Sequence, residues 1–306
     1  MSTPSTETSA VTPEAAVEPT VAAAHLDSAV EPATVGPSRK AKRTFGQKVR
    51  RTILTLLPPL GVFVLVIAGW YLLNAMQTPQ RRFLLPTPGE VFVMAFDPSV
   101  SADIITGLAR TTGVAIVGLL IASALGIAWA TCMALWKWVY NSTYPYAVVL
   151  QTIPILALVS LIGIWFGQEF GARVVVCVMI ALFPMVSNTL FGLQSLDKSY
   201  HELFKLQKAS KWTVLSKLMF PGALPSIFVG LRTSAGLSVV GAIVGDMFFQ
   251  RGEPGLGALM QRYVRLLNMP QLFDALIVSA LLGVAMFIIF GALSKLVVGR
   301  WYEPTT

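Results

Sequence analysis

Long apolar runs alternate with short polar ones along this chain. Six runs, at about 52–76, 107–135, 144–166, 174–193, 227–249 and 272–298, approach or exceed the ~20 residues a helix needs to cross a hydrocarbon core. The pattern predicts about six spanning helices and an all-α membrane protein. Pro58 and Pro59 fall in the first two turns of the first run, Pro154 in the middle of the third and Pro184 in the fourth. A proline within a helix removes a backbone donor and bends it. Gly118, Ala122 and Gly126 in the second run, and Gly241 and Gly245 in the fifth, are small residues at four-residue steps that let another helix approach closely. They suit a contact within the chain or with a second copy.

The intervals between runs differ in character. After the first comes PQRRFLLPTPGEVFVMAFDPSV (79–100), a proline-rich loop with a short amphipathic piece at 91–96. Before the sixth lies a hydrophilic segment, QRGEPGLGALMQRYVRLLNMP (250–270). The interval DKSYHELFKLQKASKWTVLSKLMFPGALP (197–225) carries five lysines, at 198, 205, 208, 211 and 217. It reads as two short helices with a break at 208–210. Ser210 caps the second by accepting from an orphan N–H, and Pro221 and Pro225 end it before the fifth span. Trp212, Leu215 and Met219 form one apolar face, with Lys205, Lys208 and Lys211 along another line.

Composition places all this in a membrane. Hydrophobic residues make up 55% and charged residues 12% of 306, against about 25% charged in soluble chains; mean hydropathy is +0.68. The net charge of +8 need not mean nucleic acid, because its distribution follows the positive-inside rule. Residues 39–51 hold seven basic residues and no acidic one. With the amino terminus inside and six spans, sixteen Lys and Arg fall on the inner side, Arg232 among them, and seven on the outer. The 197–225 segment is therefore cytoplasmic. Residues 1–38 read as a disordered cytoplasmic tail, 39–51 as a basic juxtamembrane arm, 52–300 as a six-span domain and 301–306 as a cytoplasmic C-terminal tail. The first segment lacks the basic start and apolar core of a signal peptide.

Enzymatic chemistry finds little support. The two histidines, His25 and His201, lie outside the spans, and no Gly-x-x-x-x-Gly-Lys loop is present, so neither a membrane Ser–His dyad nor ATP hydrolysis by this chain is expected. Cys132 and Cys177 lie in apolar runs and read as packing residues, with no metal set. No cofactor is expected, and no internal repeat of the secondary-transporter kind is visible. Among polar residues in the spans, Asp246 is a pathway candidate or an interfacial partner of Arg251. Gln151, Ser187 and Asn188 line a pathway or bond neighbouring helices, the second being preferred for Ser187. Arg110 and Arg173 begin outer helix ends, where snorkelling to headgroups is the ordinary role.

On residues alone, the 197–225 segment is either a connector lying on lipid or a docking surface. Its pattern resembles the EAA loop of binding-protein-dependent ABC importer permeases. Glu202 matches the first position, Leu218, Phe220 and Pro221 fall at the closing Ile-x-Leu-Pro spacing, and Ala209-Ser210-Lys211-Trp212 is similar to the Gly-Ala-Ser-Arg-Trp segment of the nitrate, sulfonate and taurine branch. Leu203 and Phe204 replace the two alanines and Lys208 replaces the glycine, where a lysine is either strained or stays helical. Further similar segments are 83–92, 151–167, 183–197, 221–248 and 252–260, so the resemblance covers roughly residues 80–300.

The resemblance implies a type I permease fold, amino and carboxyl termini inside, in a bacterial plasma membrane. It implies a cytoplasmic ATPase dimer, an extracytoplasmic substrate-binding protein and a second permease subunit, identical or closely related. It also implies ATPase coupling through Glu202, Ala209, Ser210, Lys211, Trp212, Leu215 and Pro221, with the apolar face filling a groove of the ATPase. The solute would be a small one, of the nitrate, sulfonate, taurine or bicarbonate kind, or else a thiamine or riboflavin precursor. A membrane scaffold or receptor with a basic connector is the alternative from another class.

Overall fold

The computed structural model describes residues 45–299, Gln250 excepted. The 1–38 tail, residues 39–44 of the basic arm and the 301–306 tail lie outside the described residues. The chain divides into two units, residues 1–60 and 61–306. Of the first, only the helix that begins at Phe45 is described; the second carries everything below.

Helix α1 (Phe45–Ala75) runs through Pro58 and Pro59 without interruption. A short helix, α2 (Pro88–Met94), follows the proline-rich loop and opens with a capping box: Thr87 Oγ1 accepts from Glu90 N, and Glu90 accepts from Thr87 N. Trp70 Nε1 and Asn74 Nδ2 of α1 donate to the carbonyls of Pro86 and Leu85. Helix α3 (Pro98–Leu135) starts nine residues before the apolar run at Gly107. Hydropathy marks where a helix enters lipid, whereas a cap marks where it starts. Here Asp97 Oδ1 accepts from Ser99 N and Val100 N, ahead of a proline at the first helical position.

The third span is broken. Helices α4 (Lys137–Thr152) and α5 (Ile155–Phe166) meet at 101°, which corrects the reading of a single bent span over 144–166. Pro154 lacks a donor and its ring disfavours helix for the residue before it. Ile153 accordingly takes ψ 128°, and Pro154 ψ 101°. By contrast, α6 (Phe170–Gln194) continues through Pro184.

The expected stop at Pro221 and Pro225 is also corrected. Helix α8 (Lys211–Val214) passes through a π-helical turn (Leu215–Met219) into α9 (Phe220–Phe248), one helical path of 38 residues from Lys211 to Phe248. In the π turn Phe220 N reaches the Leu215 carbonyl five residues back. The wider turn brings the chain to Pro221, which has no donor to offer, without ending the helix. After α10 (Leu256–Leu266), α11 (Met269–Val298) is the last helix among the described residues. Among the described residues, five helices are long and apolar enough to cross a membrane, six with the broken pair taken as one.

The centre of the fold is the α6–α9 pair, covered by α3 and α11. A Cβ at Gly241 would lie 2.7 Å from Cys177 Cα, and one at Gly126 would lie 2.8 Å from Met185 Cγ. Both small-residue faces therefore serve contacts with α6 inside the chain. Cys177 is fully buried between α3 and α9, as its apolar setting suggested, whereas Cys132, also read as a buried packing residue, is exposed on α3.

Candidate functional site

The 197–225 segment forms a short helix, a break at 208–210 and the start of a second helix, as its spacing predicts. Asp197 caps α7 (Lys198–Leu206), accepting from Ser199 N at 3.0 Å. Hydrogen bonds to Ser199, from its backbone and then its hydroxyl, hold the Asp197 carboxyl below its ordinary pKa. At the other end Ala209 N bonds to Phe204 O and Lys208 N to Lys205 O, the two-bond pattern of a Schellman motif. That motif needs a left-handed residue, and Lys208 supplies it at φ 53°. The lysine adopts the conformation usual for glycine at this place, so of the two outcomes open to it strain is the one realised. Ser210 Oγ then accepts from Thr213 N at 3.2 Å and starts α8.

The apolar face expected on α8 is divided. Trp212 is 64% exposed, but Leu215 and Met219 are each 8% exposed and pack into the core formed by α3, α4, α6 and α9. The correction has a simple cause: the helix from Lys211 continues into α9, so its inner side faces the membrane domain. The exposed large apolar side chains of the segment are instead Trp212 and, on α7, Tyr200, Leu203 and Leu206, the last 82% exposed. Glu202, Ser210 and Lys211 are exposed, Ala209 partly so. Pro221 is exposed too and lines a mostly apolar cavity of about 480 Å³ with Leu196, Tyr200, Leu218 and Val297.

At the outer end, Asp246 sits at zero exposure. Thr111 Oγ1 on α3 donates to Asp246 Oδ2 at 2.6 Å and accepts from Leu256 N at 2.8 Å. Arg173 Nη1 on α6 stands 3.3 Å from Asp246 Oδ1, a charge contact outside hydrogen-bond geometry. Arg173 Nη1 also donates to the Glu253 carbonyl, and Nη2 donates to those of Phe249 and Arg251, while its buried Nε has no partner among the described residues. The cluster thus fastens the connection between α9 and α10 onto α3 and α6, with the carboxylate at the N-terminus of α10, where a negative charge is favoured. A Cβ at Gly255 would collide with the Asp246 carboxylate, and one at Gly257 would lie 2.8 Å from Asp246 Cβ. The Gly-Leu-Gly spacing is thereby explained.

Two earlier readings change here. Arg173 does not snorkel: it is 4% exposed and paired within the fold. Asp246 is paired with Arg173, not Arg251. Sequence reasoning missed Arg173 and Thr111; the available signal was an Arg and an Asp of opposite charge at the same outer level of two neighbouring spans. Arg110 lies at the surface, in an ion pair with Glu253 at 2.9 Å.

Gln151 lines a cavity of about 230 Å³ at the break between α4 and α5, together with Leu158, Met179, Pro184 and Leu237. Asn188 donates to Pro184 O at 2.8 Å and Ser187 reaches the same carbonyl. Gln151 and Asn188 thus both lie beside Pro184, whereas Asp246 belongs to the separate outer cluster. Broken spans are tolerated where they line a cavity or pack against protein. Among the described residues no cluster of metal-binding side chains occurs.

Residues 122–303 match the family described as "Binding-protein-dependent transport system inner membrane component". The chain belongs to this family. It is 32% identical over 240 residues to the formylaminopyrimidine transport permease protein ThiX of Halalkalibacterium halodurans, covering 78% of this chain and 93% of the relative. It is 28% identical to the putative aliphatic sulfonates transport permease protein SsuC of Escherichia coli (77% and 88% covered). It is also 28% identical to the nitrate import permease protein NrtB of Synechocystis (66% and 71%). A solved structure, "Crystal structure of an amino acid ABC transporter with histidines", aligns at TM-score 0.50 and 18% identity over 69% of this chain and 97% of that one, a likeness of fold. This is a permease subunit of a type I ABC importer, a multi-pass protein of the bacterial plasma membrane.

Proposed function

We propose that this permease is driven by a cytoplasmic ATPase that docks on α7 and the start of α8. Trp212, Leu203 and Leu206 give the apolar contact, Glu202 and Lys211 set register by charge, and Ala209 and Ser210 shape the turn between the helices. Leu215 and Pro221 act behind that surface, Leu215 in the core and Pro221 at the π turn. The observation that carries the reading is the unbroken helix from Lys211 to Phe248. At 1.5 Å per residue it is a lever of about 57 Å, with Trp212 at one end and the Asp246 cluster at the other. Movement at the cytoplasmic end is thereby delivered to the outer connection at α10. ATP is hydrolysed in the partner, and an extracytoplasmic binding protein delivers the solute.

The pathway forms between two permease subunits, identical or closely related, with the broken span and Gln151 beside it. Asn188 contributes there by holding the Pro184 carbonyl, and Asp246 by fixing the outer connection. The solute is small, with sulfonate, nitrate and formylaminopyrimidine permeases among the relatives. The test is reconstitution of the permease with its ATPase and binding protein in vesicles. Trp212→Ala and Glu202→Ala should each uncouple ATP hydrolysis from uptake while insertion stays normal. Unchanged uptake and ATPase stimulation in both variants would overturn the docking assignment.

A further inference from the structure

Arg232 is the one basic residue counted on the inner side that stands well inside a span. It lies 16 residues before Phe248 in α9, about 24 Å along the helix, within the Lys211–Phe248 path that is long and apolar enough to cross a membrane. Its guanidinium carbon sits 3.8 Å above the centre of the Phe287 ring on α11. One turn further along α11, a Cβ in place of Gly291 would come within 3.1 Å of Arg232 Nε. An aromatic face below and a glycine gap beside it therefore cradle the planar group. Among the described residues, no carboxylate lies within ion-pair distance and no acceptor takes any of its N–H groups. The side chain is exposed, next to an outward strip of α9 that includes Val229, Thr233 and Val240.

A cation held in a span without a counter-charge costs free energy and ordinarily marks a functional position. Stacking on Phe287 covers one face of the guanidinium and leaves its edges free, and those edges are the part that binds oxyanions through two parallel hydrogen bonds. We propose that Arg232, cradled by Phe287 and Gly291, is a binding site for an oxyanion at the inner end of the α9 strip. The group is a sulfonate, nitrate or phosphate oxygen set, brought by a transported anion or by the headgroup of an inner-leaflet lipid. Only the first source rests on the pathway reading above. Binding itself is measured without ATP, ATPase or uptake, so the two ideas fail separately.

The experiment uses the full-length permease in phosphatidylcholine nanodiscs. Equilibrium dialysis measures retained labelled ethanesulfonate, and native mass spectrometry counts phosphatidylglycerol doped into the disc. Wild-type protein should retain at least one of the two probes. Arg232→Gln should weaken that binding about tenfold or more, as expected when a charged hydrogen-bond donor is lost. Arg232→Lys should retain part of it, because the charge stays while the two-point geometry is lost. Gly291→Ala keeps the charge but crowds Nε and should weaken binding as well. Ethanesulfonate binding assigns the site to a transported anion, and phosphatidylglycerol binding alone assigns it to lipid. If wild type binds neither probe, or if Arg232→Gln binds both as wild type does, the site does not exist.

Discussion

Lys208→Gly should slow the local opening of α7 although it removes a charged side chain and adds no contact. Lys208 holds φ 53° to close the Schellman turn, and a left-handed conformation costs a residue with a Cβ ~1–2 kcal/mol. Glycine removes that cost but loses ~0.5–1 kcal/mol to the greater freedom of the opened chain. The difference favours glycine by about 0.5–1 kcal/mol, or a factor of roughly 2 to 5 in the opening equilibrium. The assay is hydrogen exchange by mass spectrometry on peptides covering 198–209, with the permease in nanodiscs. Lys208→Ala is the control, since it removes the same charge while keeping the Cβ. Glycine should protect and alanine should not. Equal exchange in the two variants would refute the argument, because charge would then account for the whole effect.

Other expectations follow from the packing. Arg173→Met strands the Asp246 carboxylate and frees three carbonyls, and should cost ~3–5 kcal/mol, the range for breaking a buried pair. Asp246→Asn, which keeps a polar group beside Thr111, should cost less; thermal melting in detergent compares the two. Leu215→Ala, made in the core, should lower stability by ~2–4 kcal/mol while purified folded protein still couples, the reverse of Trp212→Ala. Gly241→Ala forces α6 and α9 apart at Cys177 and should cost ~1–3 kcal/mol, read as a lower melting temperature. The Asp197 carboxyl has a depressed pKa in the folded loop, so its capping contribution is present above its ordinary value near ~4 and is lost as pH falls below it. Protection of the α7 amides, taken relative to intrinsic exchange at each pH, should accordingly fall on acidification, and less so in Asp197→Asn.

Much of the local structure of the 197–225 segment was legible because its signals are local. Ser210 caps α8 as its position implied, and the break at 208–210 lies where the spacing put it. Lys208 shows how far such a signal extends, since its strain could be named from one substituted glycine while its conformation could not. Leu215 and Met219 were misread because helical spacing gives a face without saying what covers it. Their side of the helix is claimed by α3 and α6, which are far away in sequence.

The sequence by itself determined the membrane class, the approximate place of most spans and the family. Each depends on summed quantities: apolar length against bilayer thickness, and ordered short motifs. Only the tertiary structure decided that Pro154 breaks a span while Pro221 and Pro225 do not, because the outcome depends on whether a neighbouring turn can widen to accommodate the missing donor. Only it decided the roles of the charges. Arg173 and Asp246 neutralise each other because α6 and α9 bring them within 3.3 Å. Arg232, equally basic and in the same bundle, meets an aromatic ring instead. The energy of a charge in a span is set by its neighbours, and neighbours belong to the fold.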